Sequence, residues 1–195
     1  FQKMHIPRAS FFDLDKFSDS NSDYPHMALS KEEFSNKFEI FGIRHDQCII
    51  IYDGLGLFSS ARLLWLLHLY GFYNVFILNG GFPKWIIEKK QTSNEVFNFE
   101  PQKMNFSFNE DLIVSMEFVM KSLSMNNVQI VDARSLNRFL GLEKEPRNGL
   151  RSGNIPKSIN LYYGDLINPD YTLKPNQVLK DKIDQLGIDL NKHLI

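Results

Sequence analysis

The chain has a single cysteine, Cys48, in 195 residues, which excludes an internal disulfide framework and a cysteine-rich zinc site. It also lacks a charge excess: 22 Lys and Arg stand against 23 Asp and Glu, a formal net charge of −1. Nucleic acid or an anionic membrane surface calls for a clear basic excess, so neither is expected as a partner. Long apolar runs are missing too. The stretches 61–70 and 75–78 are broken or bounded by Arg62, His68 and Asn74, far too soon for a bilayer-spanning helix. No basic-then-apolar segment opens the chain as a secretory signal would, and a cytoplasmic location is the resulting expectation. Methionine is absent from the first position, where Phe1 stands, so the sequence reads as a piece of a longer chain. What is present, 43% hydrophobic and 13% aromatic residues, suffices for a buried core. The length lies between one large domain and two small ones.

Two halves of the sequence resemble each other. His5-Ile6-Pro7-Arg8-Ala9-Ser10-Phe11 has the pattern of Asn154-Ile155-Pro156-Lys157-Ser158-Ile159-Asn160: polar, Ile, Pro, basic, small, then a strand-like stretch. Phe34, Phe38, Phe41, Gly42 and Ile43 match Leu179, Ile183, Leu186, Gly187 and Ile188 at a constant offset of 145. The apolar spacing before each glycine predicts one face of a helix that the glycine ends. Cys48–Tyr52 reads as a buried parallel strand. A loop from Asp53 follows, then a buried helix over 61–70 capped by Ser59 or Ser60, a second buried strand at 75–78, and a short helix carrying Trp85. This alternation predicts an α/β sheet with parallel strands. The polar, irregular stretch near 91–111 reads as a linker. Beyond it a helix is expected near 114–123 and a strand at 128–131.

Several segments together carry a resemblance. They are His5-Ile6-Pro7, Phe12-Asp13-Leu14-Asp15, Ser18-Asp19, Pro25-His26-Met27, Tyr52-Asp53, Leu78-Asn79-Gly80-Gly81 and Trp85. In the second half they are Asp132-Ala133-Arg134, Arg138-Phe139 and Glu145-Pro146-Arg147-Asn148-Gly149. In this order they resemble the two-domain sulfurtransferases, rhodanese and 3-mercaptopyruvate sulfurtransferase. The resemblance implies tandem rhodanese-like α/β domains, each a parallel sheet flanked by helices. The first, non-catalytic one spans 1–93 without its opening strand, a linker spans 94–112, and the N-terminal part of the catalytic one spans 113–195. It also implies that both ends are truncated. The persulfide-bearing cysteine is expected past Ile195, since the offset carries Asp53 to position 198.

The same resemblance assigns candidate residues. Arg138 and Arg147 match substrate-binding positions, and a planar guanidinium can fork onto the carboxylate and ketone oxygens of mercaptopyruvate. Arg147, followed by Asn148 and Gly149, could instead be a solvated turn residue. Asp15 and His26 match a proton relay that includes a serine of the active loop; a purely structural place in their loops is the alternative. Asp53 is expected to hold its loop by accepting backbone N–H bonds, and Asp132 with Arg134 to form a structural ion pair. Cys48, at the head of an apolar strand, is expected to be a small buried hydrophobe. No metal or organic cofactor is implied. The implied partners are a sulfur donor, 3-mercaptopyruvate or thiosulfate, and a thiol or cyanide acceptor, with thioredoxin a candidate. A thiosulfate:cyanide sulfurtransferase and a non-catalytic tandem binding module are the competing readings.

Overall fold

A computed structural model describes residues 1–195 apart from Asn105, Arg147 and Asn148. The chain divides into two units, Phe1–Leu112 with Asp170–Thr172, and Ile113–Pro169 with Leu173–Ile195. Among the described residues no helix is long and apolar enough to cross a membrane.

The first unit opens its regular structure with α1 (Lys31–Phe38). Ser30 and Glu33 cap it reciprocally. The Glu33 N–H donates to Ser30 Oγ at 3.2 Å and the Ser30 N–H donates to Glu33 Oε2 at 3.1 Å, satisfying donors that a helix start leaves orphaned. Phe34 and Phe38, one turn apart, face the core. After a 3-10 turn the chain reverses at Gly42, whose φ of +58° is left-handed and whose missing Cβ would lie 2.7 Å from the Glu100 carbonyl oxygen. Glycine alone fits both demands. Then follow β1 (Ile49–Ile51), α2 (Ser60–Leu69), β2 (Val75–Ile77) and α3 (Gly81–Ile87). β1 and β2 run parallel, with Ile49 opposite Val75 and Ile51 opposite Ile77.

Leu66, Leu67 and Leu69 of α2 are buried, and Tyr70 at its end stacks on Phe34 with ring centroids 3.6 Å apart. Phe17, Phe38, Phe41, Phe72 and Phe106 complete an aromatic centre. Each such side chain removed from water contributes on the order of 1.5–3 kcal/mol before entropy is charged against it. Phe106 comes from the irregular stretch after α3. It is 4% exposed, with Met104 and Phe108 packed against the same cluster, so that stretch is not merely a tether.

The second unit contains α4 (Met116–Ser122), β3 (Val128–Gln129), β4 (Val131–Asp132), α5 (Leu136–Phe139), β5 (Ile159–Asn160), α6 (Asn176–Gln185) and β6 (His193–Leu194). Among the described residues its two strand pairs are parallel, with Val128 facing His193 and Val131 facing Ile159, and a single antiparallel bridge joins Ile167 to Leu173. The expected strand at 128–131 is thus interrupted at Ile130, its first part beside β6 and its second beside β5. Ile130 and Ile188 are its buried aliphatic residues.

Two strand expectations need correction. Cys48 is exposed and Ile50 is 56% exposed, as is Phe76 of β2 at 55%. Cys48 and Ile50 border a cavity of about 770 Å³ lined also by Phe11, Phe12 and Tyr52. An apolar strand is buried only where another layer covers it, and nothing in the composition of β1 says that one does.

Candidate functional site

In the first unit the loop after β1 is organised by Asp53. Its Oδ1 accepts the Leu55 N–H at 2.9 Å, and its Oδ2 accepts the N–H groups of Ser59 at 2.9 Å and Ser60 at 3.0 Å. The last two are the start of α2, so Asp53 caps that helix from seven residues away. Ser59 stands at the N-cap but makes no side-chain cap bond. Burial opposes the Asp53 charge, yet the N–H donors of Ser60, Leu55 and Ser59 outweigh it and hold the carboxyl below its ordinary value.

Asp15 and His26 are brought together. Asp15 Oδ1 lies 3.5 Å from His26 Nδ1, and Ser18 Oγ lies 3.5 Å from the same nitrogen. Ser18 also donates to the Leu14 carbonyl at 2.6 Å, which ties the Asp15 turn to the His26 loop. Asp15 is strongly exposed and the His26 ring about one-third exposed. His26 has a left-handed φ of +59°. Arg62 of α2 reaches back to donate from Nη2 to the His26 carbonyl, with its guanidinium 4.2 Å from the Trp65 ring centroid. In the sequence Arg62 stands out only as a break in an apolar run, because a lone basic residue on an apolar helix carries no local signal of a target 36 positions away.

In the second unit Arg138 lies on α5, and its guanidinium is engaged by Glu145. Arg138 donates from Nη2 to Glu145 Oε2 and from Nε to Oε1, the latter at 3.4 Å. Glu145 also accepts from Arg134 Nη1 at 2.7 Å. Arg134 grips Asp132 through Nε, 3.0 Å from both carboxylate oxygens, and through Nη2. It donates further to the Gly153 carbonyl at 2.8 Å. The Asp132–Arg134 pair is therefore one end of a longer row: Asp132, Arg134, Glu145, Arg138. The Glu145 side chain is only 4% exposed. Its hydrogen bond from Arg138 first, and the charges of Arg138 and Arg134 with it, hold the carboxyl below its ordinary value against the opposing effect of burial. In the sequence Glu145 stands out only as the first residue of the motif at 145–149, since its place between Arg134 and Arg138 depends on the fold of its loop. Arg147, the other expected substrate residue, lies outside the described residues. Among the described residues no group of three His, Cys, Asp or Glu side chains is placed to hold a metal ion.

Residues 1–88 match the family described as the rhodanese-like domain. The chain is 32% identical over 197 residues to 3-mercaptopyruvate sulfurtransferase of Rattus norvegicus, covering all of this chain and 66% of that protein. It is 33% identical over 198 residues to thiosulfate sulfurtransferase of Mus musculus, covering all of this chain and 67% of that protein. The crystal structure of SseA from Escherichia coli, described among the 3-mercaptopyruvate sulfotransferases with the rhodanese fold, aligns with a TM-score of 0.89 at 30% identity. That alignment covers 99% of this chain and 72% of SseA. The chain spans about two thirds of the length of these curated relatives, and its α/β architecture with parallel strands is the rhodanese fold.

Proposed function

Because this chain belongs to the family of rhodanese and 3-mercaptopyruvate sulfurtransferase, we infer that the protein carrying it moves a sulfane sulfur from 3-mercaptopyruvate to a thiol or cyanide acceptor. The observation that carries this reading is the reach of the similarity, which runs through all of the chain and not only through residues 1–88. The two units act as tandem rhodanese-like domains, the first non-catalytic, its domain at 1–93 continued by a connecting segment, 94–112, that packs on it through Phe106. The nucleophile is a cysteine on the loop that follows β6. Its thiolate attacks the donor sulfur. The carbon–sulfur bond breaks and leaves its electron pair on the substrate as the enolate of pyruvate, which takes up a proton, while the Cys–S–SH product gives one up. An acceptor thiolate or cyanide then attacks the outer sulfur and releases the cysteine thiolate. Thioredoxin is a fitting protein acceptor because it presents a reactive dithiol.

Arg138 and Arg147 bind the donor carboxylate and ketone, for which forked guanidinium donors are suited. Asp15 and His26 serve the proton transfers. The 3.5 Å approach of Asp15 to His26 supports that role, since a carboxylate within reach of a ring nitrogen orients the imidazole. Thiosulfate is the competing donor, favoured by the comparable identity to thiosulfate sulfurtransferase, 33% against 32%. Donor kinetics separate the two in the protein extended through the loop after β6. Arg147→Ala should raise KM for 3-mercaptopyruvate by roughly 10- to 100-fold, the loss of one charge-assisted hydrogen bond, with a smaller change for thiosulfate. Unaltered mercaptopyruvate kinetics in that variant would falsify the assignment of Arg147. A wild-type protein that turns over thiosulfate alone would make thiosulfate the donor.

A further inference from the structure

We propose that Glu145 is the positioning residue for Arg138: it holds one edge of that guanidinium so that the other edge meets the donor carboxylate. This rests on the substrate-binding reading of Arg138 above. A guanidinium offers two planar edges to oxyanions, one built on Nε and one on the two Nη groups. In the structure Glu145 takes the Nε and Nη2 donors of Arg138, which assigns the Nη1–Nη2 edge to a second carboxylate.

Glu145 can do this because it is itself fixed. It sits in the loop after α5, a segment that by itself has no regular structure to hold it, yet its side chain is 4% exposed. The restraint comes from Arg134, bonded to Glu145 Oε1 at 2.7 Å and anchored on the sheet by Asp132 of β4 and the Gly153 carbonyl. Asn160 of β5 ties the same corner, donating to the carbonyls of Asp132 at 3.0 Å and Arg134 at 2.8 Å. Order thus passes from two paired strands through Asp132, Arg134 and Glu145 to Arg138. An arginine on a four-residue helix would otherwise sample many rotamers, and holding it in one reduces the entropy lost when substrate binds. The placement also balances charge: two guanidiniums share one nearly buried carboxylate, and without it Arg134 keeps Asp132 while Arg138 loses the anion that holds it.

The test is a double-mutant cycle in the full protein, using 3-mercaptopyruvate as donor and cyanide as acceptor. Arg138→Ala should raise KM for 3-mercaptopyruvate. Glu145→Gln should raise it by about tenfold with kcat changed less than about twofold, and should add little in the Arg138→Ala background. Glu145→Asp, which keeps the charge on a shorter stem, should restore part of the lost affinity; this also guards against misreading a folding defect, since a merely unfolded fraction lowers apparent kcat and leaves KM alone. An Arg138→Ala protein with normal KM would defeat the substrate reading of Arg138 itself. A normal Arg138 effect combined with a Glu145→Gln effect that is absent, or undiminished without Arg138, would defeat the positioning role alone.

Discussion

Tyr70 shows how much a single side chain can be asked to do. It is fully buried, lies flat on Phe34, and donates its hydroxyl proton to the Leu29 carbonyl at 2.7 Å. Ionising it would forfeit that hydrogen bond and place a charge among aromatic rings. Burial accordingly pushes its pKa up to about 12, although the positive charge of Arg62 pulls the other way. The consequence for stability has a definite sign. With the folded value raised above the roughly 10 of an unfolded tyrosine, the contribution is whole below pH 10. It is lost as pH climbs toward 12, because the unfolded chain ionises there first. Tyr70→Phe removes the hydrogen bond and should cost about 1 kcal/mol at neutral pH. That deficit should shrink between pH 10 and 12, as urea unfolding of both proteins across the range would register. A constant gap would mean that Tyr70 ionises as freely in the folded protein as in the unfolded one.

At the scale of elements, α2 is the best-defined piece of the first unit, and Asp53 is what starts it. Three N–H groups converge on one half-buried carboxylate. Asp53→Ala leaves those donors to whatever water can reach them and should destabilise the protein by about 1–3 kcal/mol, whereas Asp53→Asn keeps an acceptor oxygen and should cost less. The carboxyl is held below its ordinary value, so its contribution is present above about pH 4 and fades as pH falls through the lower folded value. The wild-type advantage over Asp53→Asn, read from urea midpoints, should therefore vanish in acid. The sequence foresaw α1, α2 and both strands of this unit because their apolar periodicity is local information, and it foresaw a loop-holding role for Asp53. It named Ser59 or Ser60 as the cap of α2, since a cap is expected next to its helix and not across a loop. It missed the exposure of Cys48 and Ile50 because burial depends on what lies over a strand. The closeness of Asp15 to His26 could be suspected from motifs, but the link from Arg134 through Glu145 to Arg138 depends on a loop conformation that no spacing rule encodes.

The two units differ as wholes in how they are held. The first has a contiguous centre of Phe17, Phe34, Phe38, Phe41, Ile51, Leu66, Leu67, Leu69, Tyr70, Phe72, Val75 and Phe106, drawn from α1, α2, both strands, the turns beside them and the segment after α3. In the second, Ile130 and Ile188 are the buried aliphatic residues, its ladders are two residues long, and much of its definition comes from charged and polar bonds around Asp132, Arg134, Glu145 and Asn160. Local opening is governed by how much apolar surface each region must expose, and the second unit has less of it to expose than the first. Hydrogen exchange followed by mass spectrometry should therefore find the amides of Leu66–Tyr70 and Val75–Ile77 the slowest in the chain. Those of β3, β4 and β6 should exchange sooner. Raising the sodium chloride concentration should speed the second group slightly more than the first, since screening weakens even part-buried charge pairs a little and leaves apolar packing intact. Equal protection in the two units, insensitive to salt, would mean that the polar row of the second unit holds its strands as firmly as the aromatic centre holds the first.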